Sequence, residues 1–319
     1  MALDGGACLD ERAQILGITP DGTISAGGTC RLLRASDGIW FAINLARSAD
    51  RESIGAWMGR PLDGSLWSAV ADHAQQVPAA MAVERAQLLG IPAAVAVAPA
   101  PALSPTVVNS GEKFNHHDNL LVLDLSALWA GPLCGRILGE LGARVVKAEF
   151  PDRPDGARFG SPRFWEQLNG AKEQIVVNRG SSQLNELLDK SDVVITSARP
   201  RAIDSLGLDL VRRVSRQGLI WVSITGYGYY SERSNWVAFG DDAAVAGGLA
   251  VAAGGLDAPV FVGDAPADPL AGLNAAAAVV ASLGRGSMID VSMVGSVARA
   301  LTTIENRYAA PSKYESIKV

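Results

Sequence analysis

The chain has only 3 cysteines and 3 histidines in 319 residues. Cys8, Cys30 and Cys134 have no metal-type spacing and cannot all pair, which excludes a disulfide framework and favours a reducing compartment. His73, His116 and His117 all lie outside 119–305, so a Ser–His or Cys–His nucleophile pair would need a contact between distant segments. The adjacent His116 and His117 sit in a polar stretch without a third ligand, so they read as solvated and no metal is expected. The net charge is -5 and no run of Lys or Arg occurs, which argues against a nucleic-acid surface. The longest uncharged stretch, Leu88–Gly111, is broken by Pro92, Pro99, Pro101 and Pro105 and cannot be a regular membrane helix. The opening MALDGGACLDERAQ is acidic and lacks an apolar signal core. These absences predict a soluble cytoplasmic protein that binds neither nucleic acid nor membrane. There is also no G-x-S-x-G, H-E-x-x-H or P-loop. Gly226-Tyr227-Gly228 lacks the third glycine of a dinucleotide fingerprint and reads as a turn.

What is present is an apolar repertoire, 48% of residues, arranged in α/β alternation. Leu120–Leu125 is an apolar run with one Asp, the pattern of a strand buried on both faces. Ala130-Gly131-Pro132 is a turn with Pro132 suited to the first helical position, and Leu133, Ile137, Leu138 and Leu141 follow at helical spacing. Gly142 ends that helix, and Arg144–Ala148 is a second strand. Further strands are expected at 174–178, 192–196, 219–225 and 288–292, alternating with helices at 183–190, 199–215, 241–249, 268–283 and 293–303. The predicted fold class is α/β, a Rossmann-like open parallel sheet flanked by helices, with a smaller N-terminal α+β domain. Its expected divisions are 1–97 for the small domain, 98–118 for a linker, 119–305 for the sheet domain and 306–319 for a polar tail. Within the small domain, 30–45 reads as a hairpin, followed by helices at 48–58, 66–73 and 79–89 and a strand at 93–97.

With histidine scarce, carboxylates must carry any chemistry. Asp268 opens a long apolar helix behind a Gly- and Pro-containing loop, where the helix dipole favours its anion. Read alone, it is equally an N-cap with Pro269 at the first helical position. Asp264, four residues earlier, competes for the catalytic role. Glycines in 247–255 suggest either backbone donors for an oxyanion or a tight loop.

The stretch LDLSALWAGPLCGRILGELGARVVKAE resembles the opening of the class III CoA-transferases, the CaiB–BaiF family, through Ala130-Gly131-Pro132, Leu141-Gly142-Ala143, Val145-Val146-Lys147 and Glu149. That family includes formyl-CoA and carnitine CoA-transferases and α-methylacyl-CoA racemase. The resemblance continues to about residue 300. It implies that Asp268, in Ala267-Asp268-Pro269-Leu270-Ala271-Gly272, is a nucleophile that carries CoA between an acyl-CoA and a carboxylic acid. It also implies no permanently bound cofactor, with coenzyme A arriving as substrate, and a homodimer. Expected CoA contacts are Leu128, Trp129 and Ala130 after the first sheet strand, then Arg153, Lys172, Ser197, Arg199 and Arg201. The segment Thr196–Arg201 stands where the family often reads ENFxPG, and keeps only the proline. Asp241 stands where family racemases have a His, which argues against two-base α-proton exchange. A racemase or isomerase on the same scaffold and a non-catalytic CoA-binding subunit remain the alternative readings. Arg31–Leu45 and Gly90–Ala96 resemble, more weakly, the family's small domain, here placed ahead of the sheet.

Overall fold

The computed structural model describes residues 5–100, 105–113 and 119–309, so His116 and His117 and the tail beyond 309 lie outside the described residues. Two sheets organise the chain. The smaller has three antiparallel strands in the order β1 (Cys30–Arg34), β2 (Trp40–Asn44) and β3 (Ala93–Val95). The larger has seven strands: β4 (Thr106–Lys113), β5 (Leu121–Asp124), β6 (Arg144–Glu149), β7 (Glu173–Val176), β8 (Val193–Thr196), β9 (Ile220–Thr225) and β10 (Arg285–Ser292). Their spatial order is β4-β10-β9-β8-β5-β6-β7, all parallel except β4, which runs antiparallel along β10.

The sheet is parallel because its middle strands bury both faces. Every residue of β8 and β9 is buried, and only helices on both sides can cover such strands. On one face, Val122, Ile195, Val222 and Ile289 pack with Leu133 and Ile137 of the Ala130–Glu140 helix and with Ala271, Ala275 and Val279 of the Ala267–Ser282 helix. On the other, Leu123, Val194 and Trp221 pack with Leu184, Leu188 and Val214. The Ala267–Ser282 helix comes very close to the Ala130–Glu140 helix at Gly272, where any Cβ would press on the Ala130 carbonyl.

Three elements depart from the sequence reading. The expected linker contains β4, paired from Thr106 to Lys113 against β10. A helix, Gly5–Leu16, precedes the small sheet and packs on the helices that cover the larger one: Arg136 Nη1 and Gln167 Nε2 donate to Glu11 at 2.8 and 2.6 Å. The glycines expected to form a loop at 247–255 include a short helix, Leu249–Gly254. The small sheet leans on the Gly240–Ala246 helix through Cys30, Leu32 and Ala42 against Val245. No helix among the described residues is long and apolar enough to cross a membrane.

Candidate active site

Strand order reverses at β5. The chain steps to β6 on one side and later to β8 on the other. Loops leaving β5 and β8 therefore diverge at their carboxyl ends, and such a crevice is where open α/β sheets bind ligands. Here Ser197 Oγ accepts the Ala127 N–H at 3.0 Å and ties the two loops together. Leu128 adopts a left-handed backbone, φ 70°, held by its N–H donating to Asp155 Oδ1 at 2.9 Å. That bend turns Trp129 inward, where it is buried edge-on to Phe164 at 5.1 Å, and starts the Ala130–Glu140 helix.

Asp268 faces this helix start. It is the second residue of the Ala267–Ser282 helix, its own N–H donates to the Ala265 carbonyl at 3.0 Å, and its carboxylate accepts the Ala130 N–H. Gly240 lies flush against it, and a Cβ there would strike the Asp268 carboxylate and the Ala265 carbonyl. Burial raises the Asp268 carboxyl to about 7; the Arg12 guanidinium pulls it down, while Asp241 and Asp264 push it up. Asp241 is raised to about 6, first by burial and then by Asp264, with Arg12 again opposing. A carboxyl that titrates near neutrality is present both as anion and as acid at pH 7. Asp264 is differently placed: it is fully buried and gripped by Arg12 Nε and Nη2 at 2.6 and 2.5 Å.

A cavity of about 400 Å³ opens over Asp268 and Asp241, with Leu128 and Trp129 on one side and Thr29, Asn44 and Arg47 from the small sheet on the other. Arg153, Arg199 and Arg201 gather with Arg47: Arg199 is depressed first by burial and then by the other three cations. Arg199 also donates to the Asn235 carbonyl at 3.1 Å.

Two expectations are corrected. Lys172 is no phosphate ligand, because its buried ammonium spends all three donors on Asp124 Oδ2 (2.9 Å), the Pro132 carbonyl (2.7 Å) and Asn169 Oδ1 (2.9 Å). The ion pair with Asp124 stiffens the base of the first loop and depresses the Asp124 carboxyl to about 2 against the opposing pull of burial. Residues 247–255 do not line the cavity; Gly247 packs on Val297 and Gly248 on Pro99. Sequence reasoning missed Arg12 and Arg47. Arg12 has no local signature, since its partner is 252 positions away. Arg47 shows only as a residue three before Asp50, to which it is bonded in both oxygens.

Comparison with known proteins agrees with this architecture. Residues 118–316 match the profile described as CoA-transferase family III. The chain is 27% identical over 210 residues to the succinyl-CoA–D-citramalate CoA-transferase of Chloroflexus aurantiacus, covering 60% of this chain and 52% of the relative. It is 31% identical over 216 residues to the succinyl-CoA:glutarate CoA-transferase of Mus musculus (61% and 49%), and 32% over 195 residues to the acetyl-CoA:oxalate CoA-transferase of Acetobacter aceti (55% and 50%). The chain thus spans about half the length of the curated relatives it matches. A crystal structure of a CAIB/BAIF family protein from Brucella suis superposes with a TM-score of 0.51 at 25% identity, covering 63% of this chain and 59% of that one. With the reversal of strand order at β5, the helix opened by Ala130-Gly131-Pro132 and this match over 118–316, the chain belongs to CoA-transferase family III.

Proposed function

We propose that this protein moves CoA from an acyl-CoA to a carboxylic acid through Asp268. The observation that carries the reading is the Asp268 carboxylate at the base of the cavity, bonded to the Ala130 N–H and titrating at about 7. The carboxylate attacks the thioester carbonyl and expels CoA thiolate, leaving an acyl-aspartyl anhydride. The thiolate attacks the aspartyl carbonyl of that anhydride and releases the donor acid, giving an aspartyl-CoA thioester. The acceptor carboxylate attacks this thioester and frees the thiolate once more. The thiolate then takes the acceptor's acyl carbon and restores Asp268. The Ala130 N–H is placed to stabilise the oxyanion formed at the aspartyl carbonyl.

In this reading Leu128, Trp129 and Ala130 border the thioester, and Arg153, Arg199 and Arg201 meet the phosphates, which suit guanidinium donors. Ser197, whose Oγ accepts the Ala127 N–H, holds the loop beside them and lends its hydroxyl to CoA. Residues 119–305 form the CoA-binding unit, and the small sheet supplies the opposite wall. CoA enters only as substrate. Three free, buried cysteines accord with the cytoplasm as the compartment. The two-base racemase route has no support at position 241, where a carboxylate stands.

The test uses succinyl-CoA or acetyl-CoA with glutarate, oxalate or citramalate. Intact mass should reveal a covalent adduct that maps to the peptide carrying Asp268 and is absent in Asp268→Asn. No adduct and no transfer across that panel would overturn the proposal. The family resemblance also leads us to propose a homodimer; a monomer mass in light scattering at micromolar concentration would refute that.

A further inference from the structure

One wall of the cavity lies outside the family match, which begins at residue 118. Arg12 belongs to the Gly5–Leu16 helix, 252 positions from the carboxylate it grips. The helix is docked by specific contacts. Cys8 is buried in the main core, and Glu11 takes donors from Arg136 and Gln167. Arg12, next in sequence, then extends over the Trp129 ring at 4.7 Å, with Phe164 at 6.0 Å. Its Nε and Nη2 fork Asp264, and Asp241 and Asp268 lie within its electrostatic reach.

We infer that Arg12 is the positioning residue for Asp268: its guanidinium, planted on Trp129 and Asp264, compensates the nucleophile's charge and fixes the wall against which that nucleophile is aimed. The inference rests on the transferase reading above and concerns a segment of the chain outside the family match. Three carboxylates converge there from different elements: Asp241 from the Gly240–Ala246 helix, Asp264 from the loop and Asp268 from the Ala267–Ser282 helix. Burial and mutual repulsion make their joint ionisation unfavourable. The other charged groups around them are already committed. Glu11 is paired with Arg136, Arg47 with Asp50, and Asp155 with Lys147. Asp242, behind Asp241, is held by the Asn44 amide and the Phe239 N–H. Arg12 is the cation that opposes the upward pressure on both Asp241 and Asp268. A planar guanidinium can stack on the indole and fork a carboxylate together; an ammonium keeps the charge and loses that geometry.

The inference is tested by ¹³C NMR titration of carboxyl-labelled aspartates in the full chain. The Asp268 signal is assigned by its loss in Asp268→Asn. In the wild type it should titrate near 7. Arg12→Gln should raise the midpoint by about one pH unit, Arg12→Lys by less, and Asp264→Asn should lower it, because one repelling charge is gone and Arg12 is released to Asp268. Transfer at pH 7 should fall about fivefold in Arg12→Gln, recover as pH rises with the ionised fraction, and leave the KM for the CoA ester unchanged. A midpoint unmoved in both Arg12→Gln and Asp264→Asn overturns the inference, as does a loss of transfer that is the same at every pH. Should Arg12→Gln not fold, Arg12→Lys and Asp264→Asn still decide by moving the midpoint in opposite directions. These results are distinct from failure of the transferase reading, which would show as absence of any aspartyl adduct in the wild type.

Discussion

Replacing Asp268 by Asn should make the protein more stable and inactive, and the stabilisation should depend on pH. The native carboxyl titrates at about 7 against an ordinary 3.8. Between those values the native state holds a proton that the unfolded chain has lost, so stability falls as pH rises through the window. About three units at 1.36 kcal/mol each gives an upper bound of about 4 kcal/mol above pH 7. Burial is the main source of that penalty and the Arg12 guanidinium already offsets part of it, so a neutral side chain should recover a fraction, about 1–2 kcal/mol. An Asn side chain can still accept the Ala130 N–H through its Oδ1. Thermal melts at pH 4.5 and pH 8 should therefore differ: the variant lies close to wild type in acid and a few degrees above it at pH 8. Transfer should drop at least about a thousandfold, because an amide offers no anionic nucleophile. A gap in melting temperature that ignores pH would refute the electrostatic argument, and full transfer in Asp268→Asn would refute the catalytic one.

Other perturbations separate structural from chemical roles. Lys172→Met should cost about 3–5 kcal/mol in urea denaturation, because it strands the buried Asp124 carboxylate; wild-type stability, or a higher KM for the CoA ester without a stability loss, would contradict the assignment. Gly240→Ala should lower transfer at least about tenfold, since the added methyl displaces the Asp268 carboxylate or the Ala265 carbonyl; a fully active variant would show that the wall can give way.

The β5–helix–β6 unit was legible because its physics is local. A strand buried on both faces needs an apolar run, a helix on one face needs apolar spacing of three and four, and 121–149 shows both in order. Asp268 was legible as a helix-opening carboxylate, though neither its neighbours Asp241 and Arg12 nor its displaced titration could be read from spacing. Lys172 misled because a lone Lys before a strand reads as a cation free to meet a phosphate, while its counter-charge Asp124 appeared only as an interruption in an apolar run 48 residues earlier. β4 was hidden for another reason. An edge strand has a single neighbour and tolerates polar and charged residues, so Thr106–Lys113 reads as linker until β10 is placed beside it.

The fork between Arg12 and Asp264 also sets an order of events during synthesis. Arg12 leaves the ribosome 252 residues ahead of its partner. At about 5–20 residues per second that is a wait of roughly 13–50 s. Over that interval the Gly5–Leu16 helix lacks its ion pair, and the Arg136 and Gln167 contacts that dock it become available only partway through. A helix of 12 residues is marginal in isolation, so it gains its shape only when the sheet arrives to receive it. The long loop this closes makes the site a late, high-contact-order feature. A nascent chain interrupted between Glu149 and Asp268 holds β5 and its helix yet lacks the Asp268 carboxylate, so the cavity is completed only when the Ala267–Ser282 helix has been made.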